Sequence, residues 1–230
     1  MIDIVTPTLW RADRLAGYVA NVHESTVNEH TVSFVAEAHD EKTIAKVERI
    51  AAADPSVRLL INDRTGNVLG AFNTGALAVT APWWFASGDD VEFTFGWDVA
   101  ALGVLAEYPE AKVIGTNDLH HPNVVAGRTA THMLVNTAYM RDVGCTVDCG
   151  PGIACFEGYE HNYIDTEIVE VAKLRGVWQP CLDSIVEHRH WSFGCSERDR
   201  TYEHTWRNGE VLKGDTRIWK KRRQLLGMAR

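Results

Sequence analysis

The sequence predicts an α/β fold, a mostly parallel Rossmann-type sheet flanked by helices, in a single domain. Short apolar or β-branched runs alternate with segments of helical periodicity across the first 90 residues. That pattern is expected of a parallel sheet with right-handed crossovers. The 230 residues, 45% hydrophobic and 23% charged, suffice for one sizeable core.

The elements follow in order. Residues 2–6 read as a buried strand stopped by Pro7. Arg11 to Val22 places Leu15, Val19 and Val22 on one helical face. Thr31 to Ala36 is β-branched and strand-like. Lys42 to Ala53 is helical, with Ile44, Val47, Ile50 and Ala51 on one side. Val57 to Ile61 is a third strand, and Asn62 to Gly70 a polar, glycine-punctuated loop. Ala71 to Thr80 reads as a helix and Trp83 to Ser87 as a fourth strand. Phe95 to Tyr108 is helical, closed by Pro109. Ala111 to Gly115 is a strand, and Thr116 to Arg128 a loop rich in His and Asn. Thr131 to Tyr139 fits either strand or helix. Gly144 to Gly158 is expected to be a long loop, mobile until it orders over a ligand. Tyr163 to Arg175 is helical, with Gly176 as its C-cap. Leu182 to Glu187 is a last strand that delivers His188-Arg189-His190.

The run Trp83-Trp84-Phe85-Ala86-Ser87 ends abruptly at Gly88-Asp89-Asp90. Two adjacent carboxylates at the carboxyl end of a strand lie where open α/β sheets bind ligands. Their hard oxygens suit Mn²⁺ or Mg²⁺, ions that clamp phosphates. A solvated turn is the plainer reading of the same residues. Glu92 keeps an Asp-x-Glu pairing open. Zinc is a further alternative, using His120, His121, His132 and His161 with Cys145, Cys149 and Cys155. The cysteine spacing matches no common structural zinc pattern.

The net charge of −8 is uneven: residues 213–230 carry +6 and the remaining 212 carry −14. So acidic a body excludes general nucleic-acid binding. The basic tail fits a helix docked on that body, or a peripheral contact with an anionic membrane or a partner. No apolar run approaches the ~18 residues of a membrane span. No signal peptide is expected from the opening Ile2-Asp3-Ile4-Val5. Five cysteines without a CxxC pair point to reduced thiols and a cytoplasmic setting.

Taken in order, the motifs resemble those of a GT-A glycosyltransferase of the family 2 type, in its compact bacterial or bacteriophage form. Thr6-Pro7-Thr8-Leu9-Trp10-Arg11 matches the turn after the first strand. The stretch from Asn67 through Asn73-Thr74-Gly75 matches the following Asn/Gly-bearing loop and helix, and Gly88-Asp89-Asp90 a compressed Asp-x-Asp metal motif. Ile164-Asp165-Thr166-Glu167 matches the acidic helix start. Ser184-Ile185-Val186-Glu187-His188 matches the strand that ends in a metal-binding His. Ala36-Glu37-Ala38-His39-Asp40 departs from the usual Asp-Asp-Gly-Ser turn, so the base is held differently or is not uracil.

The resemblance spans residues 2–191 and implies a catalytic domain there, with a C-terminal extension over 192–230. It places nucleotide-sugar binding in about residues 1–95 and acceptor binding in about 96–191. The implied reaction is inverting, metal-dependent hexosyl transfer from a nucleotide-diphosphate sugar, UDP-sugar favoured, to a glycan or protein. Thr6, Pro7, Thr8, Arg11, Glu37, Asn73 and Asp89 are the implied donor-binding residues. Asp90 and Asp89, with His188 or His190, are the implied Mn²⁺ or Mg²⁺ ligands. Asp165 is the expected base and Glu167 its alternative. The two are about 200° apart on a helix, so one site takes only one of them. A nucleotidyltransferase is the rival enzyme, although Thr6 to Arg14 lacks a triphosphate-binding glycine. A non-catalytic nucleotide- or glycan-binding module of the same fold is the other rival.

Overall fold

A computed structural model describes residues 1–227, apart from the side chain of Asn208. Among the described residues eight strands pair: β1 (Ile2–Thr8), β2 (His30–Ala36), β3 (Val57–Ile61), β4 (Trp83–Ala86), β5 (Val91–Phe93), β6 (Val113–Asn117), β7 (Met133–Asn136) and β8 (Trp178–His188). Their spatial order is β3-β2-β1-β4-β7-β6-β8-β5. The first half, β3-β2-β1-β4, is parallel throughout. β7 then runs antiparallel to β4 and β6, β8 lies parallel to β6, and β5 closes the edge antiparallel to β8.

Strand residues alternate between two cores, as the two-residue period of a strand requires. Val5, Val35, Trp84, Val113 and Val135 face one core. Ile4, Phe34, Phe85, Ile114 and Leu134, each adjacent in sequence to one of those, face the other. The first face is covered by α3 (Val68–Ala78), α6 (Thr137–Asp142), α7 (Ile164–Leu174) and α9 (Glu210–Leu225). The second is covered by α1 (Leu15–Ser25), α2 (Glu41–Ala53) and α4 (Trp97–Gly103). Gly75 lets α3 lie against the sheet, since a Cβ there would meet Val5 Cγ1 at 2.2 Å. Asp40 caps α2 by accepting from Thr43 N at 3.2 Å.

Several elements differ from expectation. Thr131 to Tyr139 is a strand followed by a helix, because the Asn136 side chain caps the backbone N–H of Tyr139 at 3.0 Å. The expected helix over 95–108 is shorter, Trp97–Gly103 continued by a 3-10 turn. The 116–128 loop contains a short helix, α5 (Pro122–Val125). The loop 144–158 is irregular but tied down. Asn73 Oδ1 accepts from Ala154 N and Cys155 N at 3.0 and 2.9 Å. Arg175 Nη1 donates to Gly144 O at 2.6 Å. Those bonds tie the loop to α3 and to Arg175.

The tail is a docked helix. Val211, Asp215, Trp219 and Arg222 form the buried stripe of α9. Arg222 pairs with Glu167 at 2.6 Å and Asp148 at 2.5 Å. Asp215 accepts from the backbone N–H groups of Glu160, His161 and Asn162 at 2.7–3.0 Å. Lys213, Arg217, Lys220 and Lys221 face solvent. The last three residues of the basic segment, 228–230, lie outside the described residues. Among the described residues no helix is long and apolar enough to cross a membrane.

Candidate active site

Three strand ends meet at the site, the first two those of β1 and β4. β1 and β4 are adjacent and parallel, so the turn after Thr8 lies beside Ser87-Gly88-Asp89-Asp90. Thr8 Oγ1 donates to Asp89 Oδ2 at 2.8 Å, and Arg11 Nη1 donates to Asp89 Oδ1 at 2.5 Å. A Cβ on Gly88 would meet Asp90 Oδ1 at 2.6 Å, so the glycine makes room for that carboxylate.

The third strand end comes from β8. β5 starts directly after Asp90, and its Val91 lies opposite His188. That register carries His188 Nε2 to 3.5 Å from Asp90 Oδ2, and Arg189 N donates to Asp90 O at 2.8 Å. Tyr202, on α8 (Arg200–Trp206), donates its hydroxyl to Asp90 Oδ2 at 2.7 Å. Its ring lies under the Arg11 guanidinium, 4.2 Å from centroid to Cζ. Asp199 accepts two hydrogen bonds from Arg11 and lies 3.2 Å from Arg14.

The electrostatics separate the two acids. Burial raises the Asp89 carboxyl, with Arg11 and Thr8 pulling against it. Burial alone would raise Asp90 too, but its hydrogen bond to His188, with the charges of His188 and Arg11 and the Tyr202 hydroxyl, hold it well below the usual carboxylate range. Burial lowers His188, and Asp90 more than compensates, so its imidazole is raised. His132 and His190 are pushed down to about 4 by burial and by His188, and are neutral near pH 7. Burial raises the Asp165 carboxyl.

A cleft of about 770 Å³ opens over these groups, a size suited to a nucleotide-sized ligand. It is lined by Pro7, Thr8, Arg11 and Glu37 from the first half, by Asp89, Asp90, Asp165, His188 and His190, and by Tyr202 from the extension. The extension therefore walls the cleft.

Four expected site residues lie elsewhere or face away. Thr6 points to the other side of the sheet, where its hydroxyl bonds Tyr18 at 2.8 Å. Asn73 is buried and holds the 154–155 backbone. Glu167 is buried, bonded to Tyr159 and ion-paired with Arg222. Glu92 is at the surface, 2.7 Å from Arg189. Asp40 both caps α2 and accepts from Trp10 N at 2.5 Å.

Sequence reasoning missed Tyr202 and Asp199, which lie past the motifs, and placed His132 only within the zinc alternative. That alternative is not built. Cys145 and Cys155 are buried in the core, and burial pushes the Cys145 thiol up to about 12. Among the described residues the one group of three close ligand atoms uses none of the three cysteines; it is His120, Glu187 and Cys195.

The residues fit a divalent ion. A carboxylate and an imidazole face each other, and buried ring nitrogens of His132, His161 and His188 have no hydrogen-bond partner. Asp90 faces His188 at 3.5 Å and Arg11 at 3.6 Å, whereas Asp89 is bonded directly by Arg11 at 2.5 Å.

The family model of glycosyl transferase family 2 matches residues 3–161, well over half of the chain. The chain belongs to this family. Asp165 and His188 lie beyond the matched stretch, so their place in the site rests on geometry alone. No curated protein matches the chain in sequence. The fold is the GT-A fold, and among the solved structures it is similar to are the following three. The mannosyltransferase PcManGT from Pyrobaculum calidifontis, in complex with GDP-Man and Mn²⁺, is 16% identical with a TM-score of 0.62, over 90% of this chain and 59% of that one. S. aureus TarS 1-349 in complex with UDP is 10% identical with a TM-score of 0.62, over 80% of this chain and 59% of that one. The glucosyl-3-phosphoglycerate synthase of Mycobacterium tuberculosis, with Mn²⁺, UDP and glucosyl-3-phosphoglycerate, is 10% identical with a TM-score of 0.57, over 83% and 72%. The chain thus spans 59% of the length of the first two.

Proposed function

We propose that the protein is a metal-dependent glycosyltransferase that moves a hexosyl group from a nucleotide-diphosphate sugar to a glycan or protein acceptor, with inversion. The observation that carries this is the meeting of Asp90, His188 and Arg11 at the carboxyl ends of β1, β4 and β8, inside a cleft of ligand size. Family membership supports the reaction class. UDP-sugar is the favoured donor, in line with the UDP complexes of two similar structures; GDP-sugar is the next, from the third.

Asp90 and His188 would hold Mn²⁺ or Mg²⁺, with His190 beside them. When bound, the ion neutralises charge on the departing diphosphate. Arg11 offers a guanidinium to the same phosphates, in a geometry that Asp199 and Tyr202 fix. Glu37 lies in the cleft near the end of β2, where the nucleoside would bind, and Asn62 Nδ2 bonds its carboxylate at 2.7 Å. Residues 1–95 would supply most of the donor contacts and residues 96–191 the acceptor contacts, with His188 and the 192–230 extension completing the donor side through Asp90 and Arg11.

Asp165 would accept the proton of the acceptor hydroxyl. Its place in the first turn of α7 favours the ionised form, and burial raises its proton affinity toward that of a working base. The exposed basic face of α9 would give a peripheral contact, and the cytoplasm is the proposed setting. Release of nucleoside diphosphate from a panel of nucleotide sugars, with and without Mn²⁺, tests the reading. Metal-dependent release supports it; binding without turnover across the panel would favour a non-catalytic module.

A further inference from the structure

We propose that His120, Glu187 and Cys195 form a second metal site, for a thiophilic divalent ion such as Zn²⁺, distinct from the Asp90–His188 site. His120 Nε2 lies 3.0 Å from Glu187 Oε1 and 3.3 Å from Cys195 Sγ. All three ligand atoms lie within 4.8 Å of one another. Tetrahedral zinc, with bonds of about 2.0–2.3 Å, places its ligands roughly 3.3–3.7 Å apart. The 3.3 Å separation falls in that span, the 3.0 Å one is slightly shorter, and the third is at most 4.8 Å, so modest side-chain rotations would bring all three onto one ion. One nitrogen, one sulfur and one oxygen form a donor set that zinc accepts and that hard Mn²⁺ does not favour. Three protein ligands leave a fourth position for water.

Each ligand is presented by ordered backbone. Glu187 is on β8, paired opposite Glu92 of β5. His120 follows β6 through Leu119, a non-glycine residue held at φ +65°, and its own N–H donates to Asp118 Oδ1 at 3.0 Å. Cys195 follows the 3-10 turn Trp191–Phe193. Phe193 stacks on the His120 ring, with centroids 5.3 Å apart and planes at 22°. The three positions are half-buried, so an ion can enter from solvent.

The site would clip the segment after β8 to the end of β6. That segment leads directly to Asp199 and Tyr202, so a bound ion would hold the wall of the active cleft. Binding converts the Cys195 thiol to thiolate and releases its proton to solvent.

The test uses Co²⁺ as a spectroscopic stand-in for Zn²⁺ on the full-length, metal-stripped chain. One equivalent is expected to give a thiolate-to-cobalt charge-transfer band in the wild type and in Cys149→Ser, which controls for the other accessible cysteine. The band should vanish in Cys195→Ser and in His120→Ala, and remain in Asp90→Ala, which lacks the other site. Zn²⁺ should raise the melting temperature of the wild type and not of Cys195→Ser. No band at stoichiometric Co²⁺, or a band that survives Cys195→Ser, would overturn the proposal.

Discussion

Arg11 and Asp199 stand 188 residues apart in sequence and share two hydrogen bonds, Nε to Oδ2 at 2.9 Å and Nη2 to Oδ1 at 3.2 Å. The same guanidinium reaches Asp89 and Asp90, so one buried cation ties the first turn, the acidic motif and the C-terminal extension together. Its side chain is 5% exposed. Arg11→Ala strands buried carboxylates, and breaking such a pair costs about 3–5 kcal/mol. Chemical denaturation near pH 7 should show a loss of that size, part of it regained with Mn²⁺. A loss under about 1 kcal/mol would mean that the carboxylates are compensated some other way.

The two acids of α7 should separate cleanly. Asp165→Asn is expected to keep its fold and donor binding and to lose transfer by at least ~10², the scale of a general base. Glu167→Gln should leave the chemistry largely intact and lower the melting temperature, because Glu167 is the buried partner of Arg222. Paired thermal melts and turnover assays read both. Normal transfer in Asp165→Asn would remove it as the base.

Much of this was legible in the sequence, and the limits are physical. β1 to β4 and their helices showed because periodicity is local, and Asp89, Asp90 and His188 showed because they end apolar runs. β5 escaped because three residues carry no period, and without β5 the pairing that brings His188 to Asp90 is invisible. The antiparallel entry of β7 depends on pairings remote in sequence. Thr6 was placed in the site by its motif, yet strand alternation turns it to the opposite face from Pro7. Asp199 caps the helix that carries Tyr202, their bonded partners Arg11 and Asp90 are 188 and 112 residues away, and no local signal marks them.

Asp3 gives a pH-dependent test of the fold, away from the cleft. Burial would raise its carboxyl, but hydrogen bonds from Thr31, Ala81 and Thr80, together with Arg58, lower it below the ordinary 3.8. Thr80 N and Ala81 N donate to Oδ2 at 2.6 and 3.0 Å. A depressed folded-state pKa gives stability that is fully present above the unfolded value and lost as pH falls through the folded one. Asp3→Asn should therefore destabilise the protein most near neutral pH, with the gap to wild type narrowing below about pH 4. Urea titrations at pH 7 and below pH 4 measure it; a gap that widens on acidification would contradict the assignment.

The central claim is that Asp90 binds the metal that holds the donor. Isothermal titration of UDP-sugars and GDP-sugars into the wild type and Asp90→Ala, each with and without Mn²⁺, tests it most directly. Wild type should bind at least one donor only with Mn²⁺, and Asp90→Ala should lose that binding while keeping its melting temperature within a few degrees. Donor affinity in Mn²⁺ that is unchanged in Asp90→Ala would contradict the account.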